Sequence, residues 1–339
     1  MSSFFSVTPK FEESLGGFLI RVCQENPGLT TGRILRSVFG KWSKPASAKA
    51  GKLAEFCRAD PMAVAELSGY WRQAMLSHEQ YRCAGHWIEA LSFIGCPCSA
   101  ICPICLIEAP YSRAEWDISL YACCPVHGVS LLETCPSCSR SIGLNRQEIC
   151  RCRCGYDFRR ALMSNPSAPS LEIATGLDWA LWGEDARTKE LKHGMGRCAR
   201  LMDSEGICAL LPQLWFLGIT LPALTANVPL RGSKRLRRQQ VDSVAGEVVD
   251  VLNGWPDSFL ERINQLYRNR YVSNPADADR VLRYVWRRTQ DITAHGDPLN
   301  LRRVFVQAVG ATQYRRRKQR CLRVCTAQME LDLEEQAKP

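Results

Sequence analysis

Eleven of the eighteen cysteines in this 339-residue chain lie between Cys96 and Cys154, most of them in metal-ligand pairs. The run contains Cys102-Pro-Ile-Cys105, Cys124-Pro-Val-His127, Cys135-Pro-Ser-Cys138 and Cys152-Arg-Cys154-Gly155. A short turn lets both ligands of a pair face one ion, and four pairs make two tetrahedral sets, the coordination that structural Zn²⁺ favours. The expected cofactor is two structural zinc ions per chain. One is assigned to Cys102, Cys105, Cys124 and His127, the other to Cys135, Cys138, Cys152 and Cys154. With all four positions of each ion filled by protein, no open position remains for a catalytic water.

Other ligand choices exist. Cys123 neighbours Cys124, Cys150 precedes Cys152 by two, and Cys96 with Cys98 forms a pair without a mate. Cys124 is preferred because Cys-Pro recurs at Cys102, Cys124 and Cys135. Cys154 is preferred because Gly155 follows it, where a tight turn commonly needs positive φ. The remaining cysteines, Cys23, Cys57, Cys83, Cys198, Cys208, Cys321 and Cys325, read as buried small hydrophobes. The opening Met1 to Lys10 lacks a charged segment followed by an apolar core, so no signal peptide is expected. Thiols kept in the cytoplasm stay reduced, which favours metal over disulfides. No segment is expected to approach the roughly 18 apolar residues of a membrane span.

The expected fold class is mainly α, with an N-terminal helix-turn-helix-like domain (1–95), a central two-zinc module (96–160) and a C-terminal helical, helix-turn-helix-like domain carrying basic segments (161–339). Leu15, Phe18, Leu19, Val22 and Cys23 follow helical spacing within Glu13 to Asn26. Pro27-Gly28 stops that helix. Thr31 is the expected N-cap of a short helix carrying Ile34, Leu35, Val38 and Phe39. Helices are expected over Lys52–Arg58 and Met62–Tyr70, the latter capped by Asp60 with Pro61 in its first turn. The whole of 9–90 reads as helical. Asn165-Pro-Ser-Ala-Pro169 reads as a linker. Beyond it, helices are expected over Leu171–Trp182, Lys189–Met202, Val241–Leu252, Asp257–Tyr267, Asp277–Thr289 and Pro298–Val309, with a loop over Pro222–Ser233. Trp71, Trp87, Trp116, Trp179, Trp215, Trp255 and Trp286 are read as core residues, Trp116 as the cover of the zinc module.

The net charge of +10 is unevenly distributed. Arg231, Lys234, Arg235, Arg237 and Arg238 fall within eight residues, and Arg302, Arg303, Arg315, Arg316, Arg317, Lys318 and Arg320 belong to an acid-free run from Leu301 to Cys325. These residues are the candidates for contact with a phosphate backbone or an acidic partner. No Gly-x4-Gly-Lys-Ser/Thr phosphate loop is present, so ATP hydrolysis is not expected. Asp178, Glu184 and Asp185 have no supporting pattern for a nuclease-type metal site and read as a solvated helix end. No catalytic residues are assigned.

The order Cys-Pro-x-Cys, Trp116, Cys-Pro-x-His-Gly, Leu131-Leu132, Cys-Pro-x-Cys and Cys-x-Cys-Gly-Tyr-Asp resembles the TniQ/TnsD family. The opening Pro9, Glu13-Ser14-Leu15, Phe18-Leu19 and Arg21 is similar to that family's start, and Gly254-Trp255-Pro256-Asp257-Ser258-Phe259 to an element of its second half. The resemblance, to the short TniQ form, implies a non-enzymatic target-site selection adaptor in bacterial transposition. Its implied partners are target DNA, an AAA+ transposition regulator of the TnsC/TniB type, and an RNA-guided CRISPR effector, either Cascade-type or single-subunit. A homodimer and a cytoplasmic, nucleoid-associated location are implied as well. The alternative reading is a self-sufficient, sequence-specific zinc-containing DNA-binding protein, and a third is a zinc-dependent nuclease.

Overall fold

The computed structural model describes residues 5–40, 44–73, 79–88, 100–188, 196, 206–226, 238–273, 275–294 and 296–314. The chain is mainly α and divides into two compact units: residues 1–208 with 233–243, and residues 209–232 with 244–339.

The first unit begins with α1 (Leu15–Glu25), whose N-cap Ser14 accepts from the Gly17 amide at 3.1 Å. Leu15, Phe18, Leu19, Val22 and Cys23 are buried together, as their spacing requires. The next helix, α2 (Thr31–Phe39), is capped by Thr30 rather than by Thr31. Thr30 has the extended backbone that a cap needs, whereas the Thr31 hydroxyl donates to the Leu144 carbonyl at 2.8 Å. The helix α3 (Ala50–Cys57) precedes α4 (Pro61–Glu66), where Asp60 accepts from the Ala63 amide and Pro61 occupies the first turn. Ile34, Val38, Leu53, Ala54, Val64 and Leu67 close the core over α1.

Past α4 the helical expectation for 9–90 fails. The chain forms an antiparallel sheet in the order β1 (Trp71–Gln73), β2 (Glu79–Cys83), β3 (His86–Ile88). Tyr81 and Cys83 point inward with the period of two that defines a strand, and Ala84-Gly85 turns the β2–β3 hairpin with φ of 49° and 80°. Inward-facing Tyr81 donates to Asp117 at 2.7 Å. Further along lie α5 (Pro103–Glu108), a 3₁₀ turn over Ala114–Asp117, the two-residue strands β4 (Cys123–Cys124) and β5 (Val129–Ser130), and α6 (Ala168–Trp182). The expected linker 165–169 thus runs into the first turn of α6, with Ser167 as its cap.

Residues 12–14 are stitched to 112–114. Ser14 donates its amide to the Ser112 carbonyl at 2.9 Å, and Ala114 donates to the Glu12 carbonyl at 2.8 Å. Gly17 makes this approach possible, since a Cβ there would lie 2.8 Å from the Ser112 Cβ. The loop carrying the later cysteines is also tied down within this unit, where the Ile149 amide reaches the Gln24 side chain at 3.2 Å.

The second unit contains a helical run that the sequence reading overlooked, from α7 (Ile207–Trp215, its first two residues in the first unit) through a π turn (Phe216–Thr220) into α8 (Leu221–Thr225). Contrary to expectation, residues 207–225 are long and apolar enough to cross a membrane by length and composition. They are largely buried inside the molecule instead: Leu210, Leu211, Leu214, Leu217 and Leu221 have no exposed surface. The expected loop from Pro222 begins as the helix α8. Within the π turn, Gly218 admits Val244 and Val248 of α9 (Arg238–Asn253), whose methyls lie 2.7 Å from where a Cβ would stand.

Three further helices follow: α10 (Asp257–Ser273), α11 (Pro275–Ile292) and α12 (Leu301–Tyr314). They pack mutually through Phe259, Ile263, Leu266, Leu282, Val285, Trp286 and Phe305. Each of these and α9 was expected within a few residues. The expected helix Lys189–Met202 lies, apart from Gly196, outside the described residues.

Candidate metal centres

Each pair of expected ligands sits on a tight local turn. Cys102 is the residue before α5 and Pro103 starts that helix, so Cys105 comes round one turn later on the same side. Cys124 ends β4, and the Gly128 amide returns to its carbonyl at 2.9 Å, with φ of 61° at Gly128 bringing His127 over the strand end. In the later pairs, Ser139 donates to the Cys135 carbonyl at 2.8 Å and Gly155 to the Cys152 carbonyl at 2.9 Å. Gly155 adopts φ of 89°, the positive value expected of it.

These turns bring the eight residues into two quartets: Cys102, Cys105, Cys124 and His127 in one, Cys135, Cys138, Cys152 and Cys154 in the other. Within each, the ligand atoms lie within 4.8 Å of one another. In the first, the Cys105 and Cys124 sulfurs are 3.6 Å apart. His127 Nδ1 stands 3.5, 3.3 and 3.3 Å from the sulfurs of Cys102, Cys105 and Cys124. In the second, Cys135 and Cys154 are 3.6 Å apart and Cys138 and Cys152 3.7 Å. Tetrahedral Zn²⁺ with Zn–S near 2.3 Å and Zn–N near 2.05 Å places two sulfurs about 3.8 Å apart and a sulfur and nitrogen about 3.5 Å apart. The donor sets and their spacing therefore fit a four-coordinate soft cation, and the sulfurs stand well beyond the ~2.05 Å of a disulfide.

The competing ligands are placed elsewhere. The Cys123 thiol faces the Ser170 carbonyl at 3.4 Å, and Cys150 is buried outside the second quartet. Cys96 and Cys98 lie outside the described residues.

The two quartets differ in their surroundings. Cys102, Cys105 and Cys124 are buried, while Cys154 is exposed and Cys138 and Cys152 are half-buried. Around the first quartet, Glu108 of α5 meets His127 Nε2 at 2.9 Å, fixing Nδ1 as the atom free to ligate. Arg187 donates to the Cys105 sulfur at 3.3 Å and lies 3.9 Å from Glu108. One thiol in each quartet is held low. Cys105 is lowered by hydrogen bonds from Cys102 and Cys124, with the charge of Arg187 adding to them, and Cys154 is lowered to about 6 chiefly by the Tyr156 backbone. Sequence reading missed both Glu108 and Arg187. Glu108 was discoverable as a carboxylate on the ligand-bearing helix, whereas nothing local marks Arg187, 82 residues from Cys105.

Beside the first quartet lies a set of buried ionisable groups that sequence reading also missed. Arg113 pairs with Glu12, whose φ is 62°. Glu115 has no exposed surface and neither carboxylate oxygen has a hydrogen-bond partner, so burial pushes its pKa well above the ordinary value despite the charge of Arg113. Asp178, read above as part of a solvated helix end, is instead buried and accepts from the Thr188 hydroxyl at 2.8 Å.

Of the basic candidates, Arg302 turns its guanidinium onto Thr293, bonding the carbonyl at 3.1 Å, and Arg303 is exposed. Arg238 begins α9. Arg231, Lys234, Arg235, Arg237, Arg315, Arg316, Arg317, Lys318 and Arg320 lie outside the described residues. Trp116, Trp179 and Trp286 are buried as expected, and Trp71, Trp87, Trp215 and Trp255 are half-buried.

A comparison with curated proteins returns no match. Residues 4–131 match the family model described as TniQ, a span that holds all of the first quartet and ends before the second. That match, over the region containing the Glu13-Ser14-Leu15 start and the Cys₃His set, is what supports a TniQ/TnsD-type, transposition-associated protein.

Proposed function

We propose that the protein is a non-enzymatic adaptor that selects the target site for transposition, linking a complex bound to target DNA with an AAA+ transposition regulator. An RNA-guided CRISPR effector is the proposed form of that complex. The observation that carries the reading is the TniQ match across 4–131. Two structural zinc ions, one per quartet, are the proposed cofactors. Four protein donors per quartet leave no coordination position for substrate, which fits a scaffold rather than a metalloenzyme. The segments 1–95, 96–160 and 161–339 are its proposed helical, metal and basic parts, and the cytoplasm its proposed location.

The experiment is reconstitution. The full chain, purified with zinc, is mixed with the AAA+ protein and the effector encoded beside it, and complexes are resolved by size exclusion at low and moderate salt. Co-elution with either one supports the adaptor. Absence of both associations, with the chain folded and metal-loaded, would rule it out.

A further inference from the structure

The second quartet lies open to solvent on one side, and the first does not. Cys154 is exposed and Cys138 and Cys152 are half-buried, whereas Cys102, Cys105 and Cys124 have no exposed surface. Arg151, Arg153 and Gly155, beside Cys154 on the same turn, are exposed as well. Oxidation of a cysteine by a peroxide follows thiolate character and exposure, and it stays reversible where a second cysteine stands close enough to resolve the product. A sulfur that ligates zinc is held as thiolate. Cys154 therefore combines thiolate character with access.

The resolving partners lie across the quartet. The Cys154 sulfur is 3.6 Å from that of buried Cys135, and the Cys138 sulfur is 3.7 Å from that of Cys152. Each pair joins the 135–138 turn to the 152–154 turn. The turns themselves are held by backbone bonds that do not involve an ion. The Cys135 amide donates to the Arg140 carbonyl and the Cys152 amide to the Tyr156 carbonyl, both at 2.9 Å. Cys150, two residues before Cys152, is buried outside the quartet.

We infer that the second quartet is a site of reversible oxidation by hydroperoxides, where the disulfides Cys135–Cys154 and Cys138–Cys152 replace the metal as the link between the two turns. The inference rests on the zinc reading of that quartet and is independent of the adaptor role. The Cys154 thiolate attacks one oxygen of hydrogen peroxide, the O–O bond breaks, and hydroxide leaves a sulfenic acid behind. The Cys135 thiolate then attacks the Cys154 sulfur and expels a second hydroxide, closing the first disulfide. Cys138 and Cys152 pass through the same two steps with a second peroxide. Four thiolates thus lose four electrons, two peroxides become four hydroxides, and the divalent ion is left without donors. Because both disulfides run from turn to turn, the oxidised module stays tied where a merely metal-stripped one comes apart.

The test treats the full zinc-loaded chain with about two equivalents of hydrogen peroxide, the amount that balance requires. Retained zinc is read by metal analysis after desalting, disulfides by non-reducing peptide mass mapping, and backbone protection by hydrogen exchange. One zinc equivalent should be lost, with Cys135 linked to Cys154, Cys138 linked to Cys152 and the first quartet unoxidised. Protection across 135–157 should survive this loss, yet disappear when a chelator removes the same zinc in dithiothreitol. Cys150→Ala should release zinc to the same extent as wild type. The inference is overturned by links within a turn (Cys135–Cys138 or Cys152–Cys154), by prior loss from the first quartet, by lost protection on oxidation, or by a release that Cys150→Ala abolishes. Zinc on the second quartet before treatment is shown by protection of Cys154 from alkylation. Its absence there removes the zinc reading and this inference together, whereas zinc that is present and unmoved by peroxide overturns the inference alone.

Discussion

The residues that make the opening of this chain resemble the TniQ family have identifiable structural duties. Glu13 is buried and holds the Arg21 guanidinium through both oxygens, at 2.7 and 2.8 Å, while Ser14 caps α1. Removing one partner of such a buried pair strands the other, so Arg21→Ala should destabilise the first unit by about 3–5 kcal/mol, measured by denaturant unfolding. Gly17→Ala should cost about 1–3 kcal/mol, because the added methyl must displace Ser112 backbone and side chain together. Glu115 gives a pH dependence. Its folded-state pKa stands above the ordinary 4.5, so the stability it contributes is fully present below that value and is lost as pH rises toward the folded pKa. Thermal unfolding with zinc in excess should therefore show Glu115→Gln gaining on wild type as pH rises from about 4.5. A difference that is flat with pH would refute the assignment. Neither Glu115 nor its neighbour Arg113 was visible as buried in sequence, because both sit in a polar, aperiodic stretch whose burial comes from the residues 12–14 laid across it.

Among elements, the metal turns were the most legible, since a Cys-Pro-x-Cys or Cys-x-Cys-Gly spacing imposes its own geometry over a few residues. The period-3.6 helices α1, α9, α10, α11 and α12 were legible for the same reason. The sheet β1–β3 was not: its strands run to only three to five residues, too short for a period of two to stand out. The run 207–225 was missed because it is apolar on all sides and so shows no periodicity, the pattern of a helix buried all round. The two quartets should also behave differently as elements. The second is the more exposed, so a colorimetric chelator should remove one zinc equivalent in a fast phase and the other in a slow one, with Cys154 alkylated after the fast phase. Arg187→Gln should weaken the first site by roughly 10- to 100-fold, the usual consequence of losing an outer partner, and merge the two phases. Retention of a distinct slow phase in that variant would show that Arg187 does not support the site.

At the scale of the molecule, the quartets and the first helices belong to one compact unit, joined by the 12–14/112–114 bonds and by the contacts of Thr31 with Leu144 and Gln24 with Ile149. A metal that closes such turns supplies folding free energy directly. Cys105→Ser should then unfold the first unit rather than yield a folded but inactive protein, read as loss of protection in hydrogen exchange across α1 and α2. The account stands on each quartet being a closed structural site. The most direct measurement is the metal content of the purified chain together with the X-ray absorption spectrum at the zinc edge. The expected result is two zinc ions per chain, all four-coordinate, with seven sulfurs and one imidazole nitrogen shared between them, as the two donor sets dictate. A single zinc per chain, or a water oxygen in the coordination shell, would contradict it.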